Sequence, residues 1–313
     1  MNKLKLGTRG SRLALWQARY VAVQLEKAIP DLQVDIKTIR TTGDKILDVA
    51  LSRIGDKGVF TKEIEKELLN GHIDIAVHSM KDMPTELEPG LLIGAVLARE
   101  NPADVLISHK GYKFSNLPPG AKIGTSSLRR ISQLKAHRPD ISTVDIRGNI
   151  ETRIKKMKEL NLDGIIIAYA GLKRLGLEDM ISEILPYALI MPAVGQGAIA
   201  IELRYGDENT RALINKINHI PTATAITAER QFLKKLEGGC QIPIGALAQV
   251  SENQLVMEGL VASLDGRIVY RASSTGVISE AGLIGQELAQ QLLQEGADRL
   301  LAEIRQLGDG ENE

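Results

Sequence analysis

Lys5-Leu6-Gly7-Thr8 and Lys122-Ile123-Gly124-Thr125 share the pattern Lys-x-Gly-Thr, and a serine-bearing turn and a helical stretch follow each. The first unit predicts a strand over Lys3 to Thr8 and a helix capped by Ser11, with apolar residues at Leu13, Leu15, Trp16, Tyr20 and Val23. The second passes through Ser126 and Ser127 into Leu128-Arg129-Arg130. Two similar halves are implied. Each half later supplies a buried strand, Ile73 to His78 and Gly164 to Tyr169, preceded by helical patterns at 59–69 and 149–160. Such alternation gives a parallel or mixed sheet with helices on both faces. Ligands of these sheets bind beyond the carboxyl ends of the strands, where turn glycines and helix N-termini collect.

From residue 222 the pattern changes to a helix over Thr222 to Leu236, a cysteine turn, and three strand-like runs at 244–250, 254–263 and 267–275. Ser251-Glu252-Asn253 and Leu264-Asp265-Gly266 supply hairpin turns. A helical tract follows from about 280 to 306. The expected fold class is α/β: two doubly wound domains plus a smaller α+β C-terminal domain with a three-stranded antiparallel sheet.

With 39 basic and 39 acidic side chains the chain lacks the net field of a general nucleic-acid binder, and 3% aromatics are too few for a base-stacking surface. One cysteine excludes a disulfide framework and a multi-cysteine metal site, and the five histidines show no ligand spacing, so no metal is expected. Arg9 and Arg12 interrupt the apolar run that an export signal needs, and the weakly polar stretch from Ala188 to Ile201 is too short and too broken to span a bilayer. A cytoplasmic, monomeric protein with no membrane partner is the expectation.

Charge is unevenly distributed: residues 99–192 carry 15 basic and 10 acidic side chains, residues 193–313 carry 10 and 16. Arg9 and Arg12 flank the first helix start, Arg129 and Arg130 occupy the first turn of its counterpart, and Arg147 and Arg153 bracket the start of the next helix. Cations are unfavourable beside the positive end of a helix unless an anion arrives, so these corners predict a pocket for a multi-carboxylate ligand. No phosphate-binding Gly-x-x-x-x-Gly-Lys-Ser/Thr element is present.

Facing them, Ser79, Lys81 and Asp82 lie in His78-Ser79-Met80-Lys81-Asp82-Met83-Pro84, where Pro84 prevents continuation as helix or central strand. Asp82 either caps a turn or stabilises a cation forming in a substrate. The Gly-rich connection from Thr41 to Gly58 reads as a lid. Cys240, in Glu237-Gly238-Gly239-Cys240-Gln241-Ile242-Pro243, is either a small buried hydrophobe or an exposed thiol able to hold something covalently.

Those segments, together with Gly7-Thr8-Arg9-Gly10-Ser11-Arg12-Leu13-Ala14-Leu15-Trp16-Gln17, Gly124-Thr125-Ser126-Ser127-Leu128-Arg129-Arg130, Arg147-Gly148-Asn149, Ala170-Gly171-Leu172-Lys173-Arg174-Leu175-Gly176 and Pro192-Ala193-Val194-Gly195-Gln196-Gly197, resemble the porphobilinogen deaminase family from residue 4 to about 305. The resemblance implies a transferase of tetrapyrrole and haem biosynthesis, a hydroxymethylbilane synthase. Such an enzyme condenses four porphobilinogen molecules head to tail with loss of ammonia and releases hydroxymethylbilane by hydrolysis. It implies a dipyrromethane cofactor joined by a thioether to Cys240, with Lys81, Ser127, Arg129, Arg130, Arg147 and Arg174 binding it. Arg9, Ser11, Gln17, Ser79 and Arg153 match substrate-binding positions, and Asp82 matches the catalytic carboxylate that stabilises the azafulvenium-like cation left as ammonia departs. In the lid, Lys57 keeps a basic position and Arg53 stands where lysine is frequent, which keeps charge but changes geometry.

The implied fold has two domains like those of periplasmic binding proteins, over 1–98 with 193–217 and over 99–192, and a cofactor-bearing domain over 218–313. The return of the chain to the first domain comes from the resemblance alone. A solute-binding receptor or a regulator's effector domain would share the two-lobed architecture, but neither accounts for Cys240 or Asp82.

Overall fold

The structure is a computed structural model that describes residues 3–41, 61–238 and 242–310. Arg53, Lys57 and nearly all of the lid lie outside the described residues, as does Cys240.

The first sheet has the order β2-β1-β3-β10-β4, with β1 over Lys3–Arg9, β2 over Gln33–Ile39, β3 over Ile75–Ser79, β4 over Leu91–Val96 and β10 over Ile199–Arg204. The second has the order β7-β6-β8-β5-β9, with β5 over Asp104–Ile107, β6 over Lys122–Gly124, β7 over Ser142–Val144, β8 over Gly164–Ala168 and β9 over Glu183–Ile184. The orders correspond strand for strand. In each sheet the first three strands are parallel, and the fourth runs antiparallel to both of its neighbours. The Lys-x-Gly-Thr repeat therefore marks a repeat of whole sheets.

Helices cover both faces of each sheet. In the first half Ala18, Val21 and Leu25 of α1 (Arg12–Ala28) pack on Leu4, Leu6 and Ile75, while Ile64 and Leu68 of α2 (Lys62–Leu69) pack on the opposite face against Ile73 and Ala76. In the second half Leu134 of α3 (Leu128–His137) covers one face, and Ile154 and Met157 of α4 (Ile150–Glu159), with Leu172 of α5 (Tyr169–Leu175), cover the other.

The halves differ where their buried strands end. After β8 the chain passes directly into α5, whereas after β3 it makes a single 3-10 turn over Met80–Asp82 before Pro84. That turn holds Lys81 and Asp82 at the sheet's carboxyl edge, outside any helix.

Beyond β10 come the short α6 (Glu208–Ile214) and α7 (Ile220–Lys235), the latter packed through Phe232 and Ala228 on an antiparallel sheet of β11 (Ile244–Ser251), β12 (Gln254–Ala262) and β13 (Val269–Val277). The third strand begins two residues later than the periodicity predicts. The expected tract over 280–306 is broken: α8 (Ala281–Leu292) and α9 (Asp298–Gly310) are separated at Gly296, whose φ of 118° no helix accommodates. A side chain at Gly296 would also strike the Tyr270 hydroxyl, so the glycine serves both the kink and the packing. No helix among the described residues is long and apolar enough to cross a membrane.

Candidate active site

Ser11 caps α1 as its position predicts, its Oγ accepting from the Ala14 N–H at 3.2 Å. Ser127 holds the matching position on α3 but makes no side-chain capping bond, which leaves its hydroxyl available at the helix start. Gln17, buried on α1, exchanges hydrogen bonds with the Ser79 hydroxyl at the end of β3, with its Nε2 donating at 2.9 Å. Arg9, Ser11, Gln17, Ser79 and Asp82 thereby line one small cavity at the carboxyl edge of the first sheet.

Arg129 and Arg130 show that the anion expected at such a corner is in part supplied by the protein itself. Both are buried, and both already meet an anion: Asp104 at the start of β5 accepts from Arg129 Nη1 at 2.8 Å and from Arg130 Nη2 at 2.7 Å. Arg129 also donates to the Met191 carbonyl and Arg130 to that of Ile166. Burial alone would raise the Asp104 carboxyl, but the two guanidiniums hold it well below the usual carboxylate range. Two cations against one anion still leave a surplus positive charge, and Arg130 Nε is buried with no hydrogen-bond partner among the described residues.

That surplus reaches the neighbouring turn. Burial pushes the Lys81 ammonium down to about 8, with Arg129 and Arg130 adding to the fall and Asp82 and Asp104 opposing it. Arg153 is lowered to about 10 by burial and by Arg130 and Arg147, against the pull of Asp82 and Asp145. Its Nε donates to the Gly148 carbonyl at 2.8 Å, and Arg147 pairs with Asp145 at 3.2 Å. Asp82 is thus an exposed carboxylate within electrostatic reach of Lys81 and Arg153.

Arg174 is placed differently. It is buried at the junction of the two sheets, donating to the Gly197 carbonyl at 2.6 Å and lying 5.9 Å from the Trp16 ring centroid. Arg12 likewise joins the halves through Glu151 at 3.2 Å.

Sequence reasoning missed Asp104, Glu202 and Glu229. The first two had a legible signal, since each is a lone carboxylate in a strand otherwise apolar enough to be fully buried (Asp104-Val105-Leu106-Ile107 and Ile199-Ala200-Ile201-Glu202-Leu203), where an unpaired charge is untenable.

A family model described as porphobilinogen deaminase, dipyromethane cofactor binding domain, matches residues 4–212, and one described as porphobilinogen deaminase, C-terminal domain, matches residues 223–294. The chain belongs to the porphobilinogen deaminase family. It is 63% identical over 305 residues to a porphobilinogen deaminase of Syntrophomonas wolfei, covering 97% of this chain and 100% of that one. It is 56% identical over 300 residues to one of Carboxydothermus hydrogenoformans, covering 96% of each. The cofactor-binding model of the porphobilinogen deaminases spans both five-stranded sheets, and their C-terminal model starts inside α7.

The residues present fit a dipyrromethane. A linked pair of pyrroles brings several carboxylates and ring N–H donors, and the cleft offers surplus cations, an unpartnered guanidinium nitrogen and one exposed carboxylate.

Proposed function

We propose that the chain is a hydroxymethylbilane synthase that condenses four porphobilinogen molecules head to tail with release of ammonia and then releases the linear product by hydrolysis. The observation that carries this reading is the exposed Asp82 carboxylate on its single turn, set within a cation-rich cleft. When bound, the dipyrromethane supplies the nucleophilic pyrrole carbon on which the chain grows. Cys240 holds it covalently, and Lys81, Ser127, Arg129, Arg130, Arg147 and Arg174 make up its binding surroundings.

The roles of the chain's own groups follow from charge. Arg9, Arg153, Ser11, Gln17 and Ser79 bind the carboxylates and polar groups of incoming porphobilinogen. Positive charge develops on the substrate as ammonia departs, and in a cleft already rich in cations that charge is opposed unless a carboxylate stands beside it. Asp82 meets that need and accepts hydrogen bonds from pyrrole N–H groups. Lys81 offers an ammonium to a ligand carboxylate. Arg53 and Lys57 act from the lid. The assignment to residues 1–98 with 193–217, 99–192 and 218–313 as three domains belongs to this proposal, as do a monomeric state and a cytoplasmic site of action.

The test joins two measurements. Denatured intact mass of the wild-type protein should exceed the polypeptide by two linked pyrroles, and Cys240→Ser should lack the excess. Asp82→Asn should keep the excess and lose turnover by about a hundredfold or more, the scale for a lost transition-state electrostatic partner. Fully active protein at bare polypeptide mass, or near-normal turnover from Asp82→Asn, defeats the reading.

A further inference from the structure

The turn that presents Asp82 is supported unevenly. On its upstream side, β3 pairs with β10 and the Met80 N–H donates to the Ala198 carbonyl at 3.0 Å. Met80 and Met83 pack with Val96, Ala198, Ala200 and Ile226. On the other side, between α7 and β4, a cavity of about 340 Å³ is bordered by Met80, Val96, Ile226 and Arg230. That space makes the packing of the turn against α7 incomplete beyond the Met80–Ile226 contact.

Arg230 reaches past that space, beside the Ile226 packing and the exposed Lys234–Glu86 pair. Arg230 Nη2 donates to the Pro84 carbonyl at 2.7 Å and to the Thr85 carbonyl at 3.1 Å. It comes from α7, four residues after Ile226 and so on the same helix face, in the helix that leads to the Cys240 turn. The guanidinium is half-buried, and burial lowers its pKa while the charge of Glu202 opposes the fall. Glu202 is fully buried, receives the His78 ring at 3.0 Å through one oxygen and, among the described residues, has no hydrogen-bond partner on the other. His78 immediately precedes Ser79, and Pro84 and Thr85 follow the turn at its far end. Groups around one buried carboxylate therefore hold both ends of the segment that carries Lys81 and Asp82.

We propose that Arg230 is a positioning residue for the reaction: it fixes the Asp82 turn to the helix of the C-terminal domain, so that the catalytic carboxylate keeps its place relative to the growing chain. This rests on the assignment of Asp82 made above. The guanidinium touches neither the cavity lined by Arg9, Ser11, Gln17 and Asp82 nor any residue proposed to bind porphobilinogen, so it acts on turnover through geometry rather than on substrate affinity.

The experiment compares wild type, Arg230→Met, Arg230→Lys and Asp82→Asn as cofactor-loaded enzyme, with loading confirmed by intact mass and kcat, KM for porphobilinogen and thermal midpoint measured on each. Arg230→Met should lower kcat about tenfold, the scale of one charge-assisted hydrogen bond, with KM within about twofold of wild type. Arg230→Lys keeps a donor and the charge but not the guanidinium fork, and should fall between the two. A Met variant with wild-type kcat per loaded enzyme, whatever its thermal midpoint, overturns the proposal and reduces Arg230 to a structural contact. If the Met variant does not fold, wild-type kcat from Arg230→Lys overturns it equally. Normal Arg230 variants beside an inactive Asp82→Asn would sink this inference alone; an active Asp82→Asn would sink the assignment of Asp82 and this inference with it.

Discussion

Asp104 decides what the arginine corner can do. Its carboxylate, with no exposed surface, takes hydrogen bonds from Arg129, Arg130 and the Gln196 side chain, so the two arginines are oriented before any ligand arrives. Asp104→Asn would leave two buried guanidiniums facing a neutral amide, and the expected loss is about 3 kcal/mol or more in urea unfolding. The sign with pH follows from its lowered value: its stabilisation is present above the ordinary carboxylate range and is lost as pH falls through the folded-state value. Lys81 has the same sign in an alkaline window. Its ammonium is lowered from 10.5 to about 8, so from about pH 8 to 10.5 the unfolded chain keeps a proton that the folded chain has released, and this group's contribution to stability rises with pH. Attraction for a carboxylate ligand runs the other way and fades as pH rises through about 8. Reconstitution of the cofactor-free protein should therefore be weaker at pH 9 than at pH 7, and Lys81→Gln should flatten that dependence. A profile unchanged by the substitution would show that Lys81 does not meet the ligand's charge. At this scale the sequence exposed the cations, because they stand in turns with recognisable spacing, but hid their internal partner, because pairing between residues 104 and 129 depends on how β5 lies against α3.

Elements were legible wherever one local pattern sufficed. The two strand-turn-helix units, the Ser11 cap and the three C-terminal strands follow from periodicity and turn residues. The break at Gly296 did not, since apolar spacing continues across it and the left-handed backbone there, packed against Tyr270, is a tertiary feature. The insertion of β10 between β3 and β4 could not be read locally either, because a strand's neighbours are fixed by long-range pairing. The turn that leads into β10 supports the sheet edge that carries Lys81 and Asp82. Gly195 has a φ of 73°, and a Cβ there would lie 2.4 Å from Met80 Cγ and 3.2 Å from the Lys81 nitrogen. Gly195→Ala combines a left-handed backbone with overpacking, a cost of about 2 kcal/mol. Every atom the added Cβ would strike belongs to the Met80–Asp82 turn, so kcat should fall together with stability. A variant that loses stability but keeps wild-type kcat would show that the turn tolerates the shift.

At the scale of the whole molecule, the joints between parts carry buried charge. Glu229 of α7 has no exposed surface; it pairs with Arg99, which lies between β4 and β5, and accepts from the Gly195 N–H at 2.8 Å and the Ala248 N–H at 2.9 Å. Arg99 Nε donates at 2.8 Å to the Gln196 carbonyl, and the Gln196 side chain reaches Asp104 at 3.0 Å. One carboxylate therefore ties the C-terminal sheet, the segment linking the two large sheets and, through Gln196, the arginine corner. The C-terminal hairpin adds a second contact: a side chain at Gly266 would strike the Ser132 carbonyl and Ala136 nitrogen of α3, so that turn lies directly on the helix carrying Arg129 and Arg130. Glu229→Gln keeps the shape of the joint while leaving the half-buried Arg99 without its counter-charge, and the expected cost is about 3 kcal/mol. Because the lost pair holds parts together rather than filling one core, cooperativity should fall as well as stability. Urea unfolding followed by far-UV circular dichroism should shift to lower midpoint with a shallower slope, where a local defect would shift the midpoint alone. An unchanged slope would mean that hydrophobic contact at Met191, Leu247 and Leu260 is enough to keep the C-terminal domain unfolding with the rest, and that Glu229 stabilises the joint without coupling it.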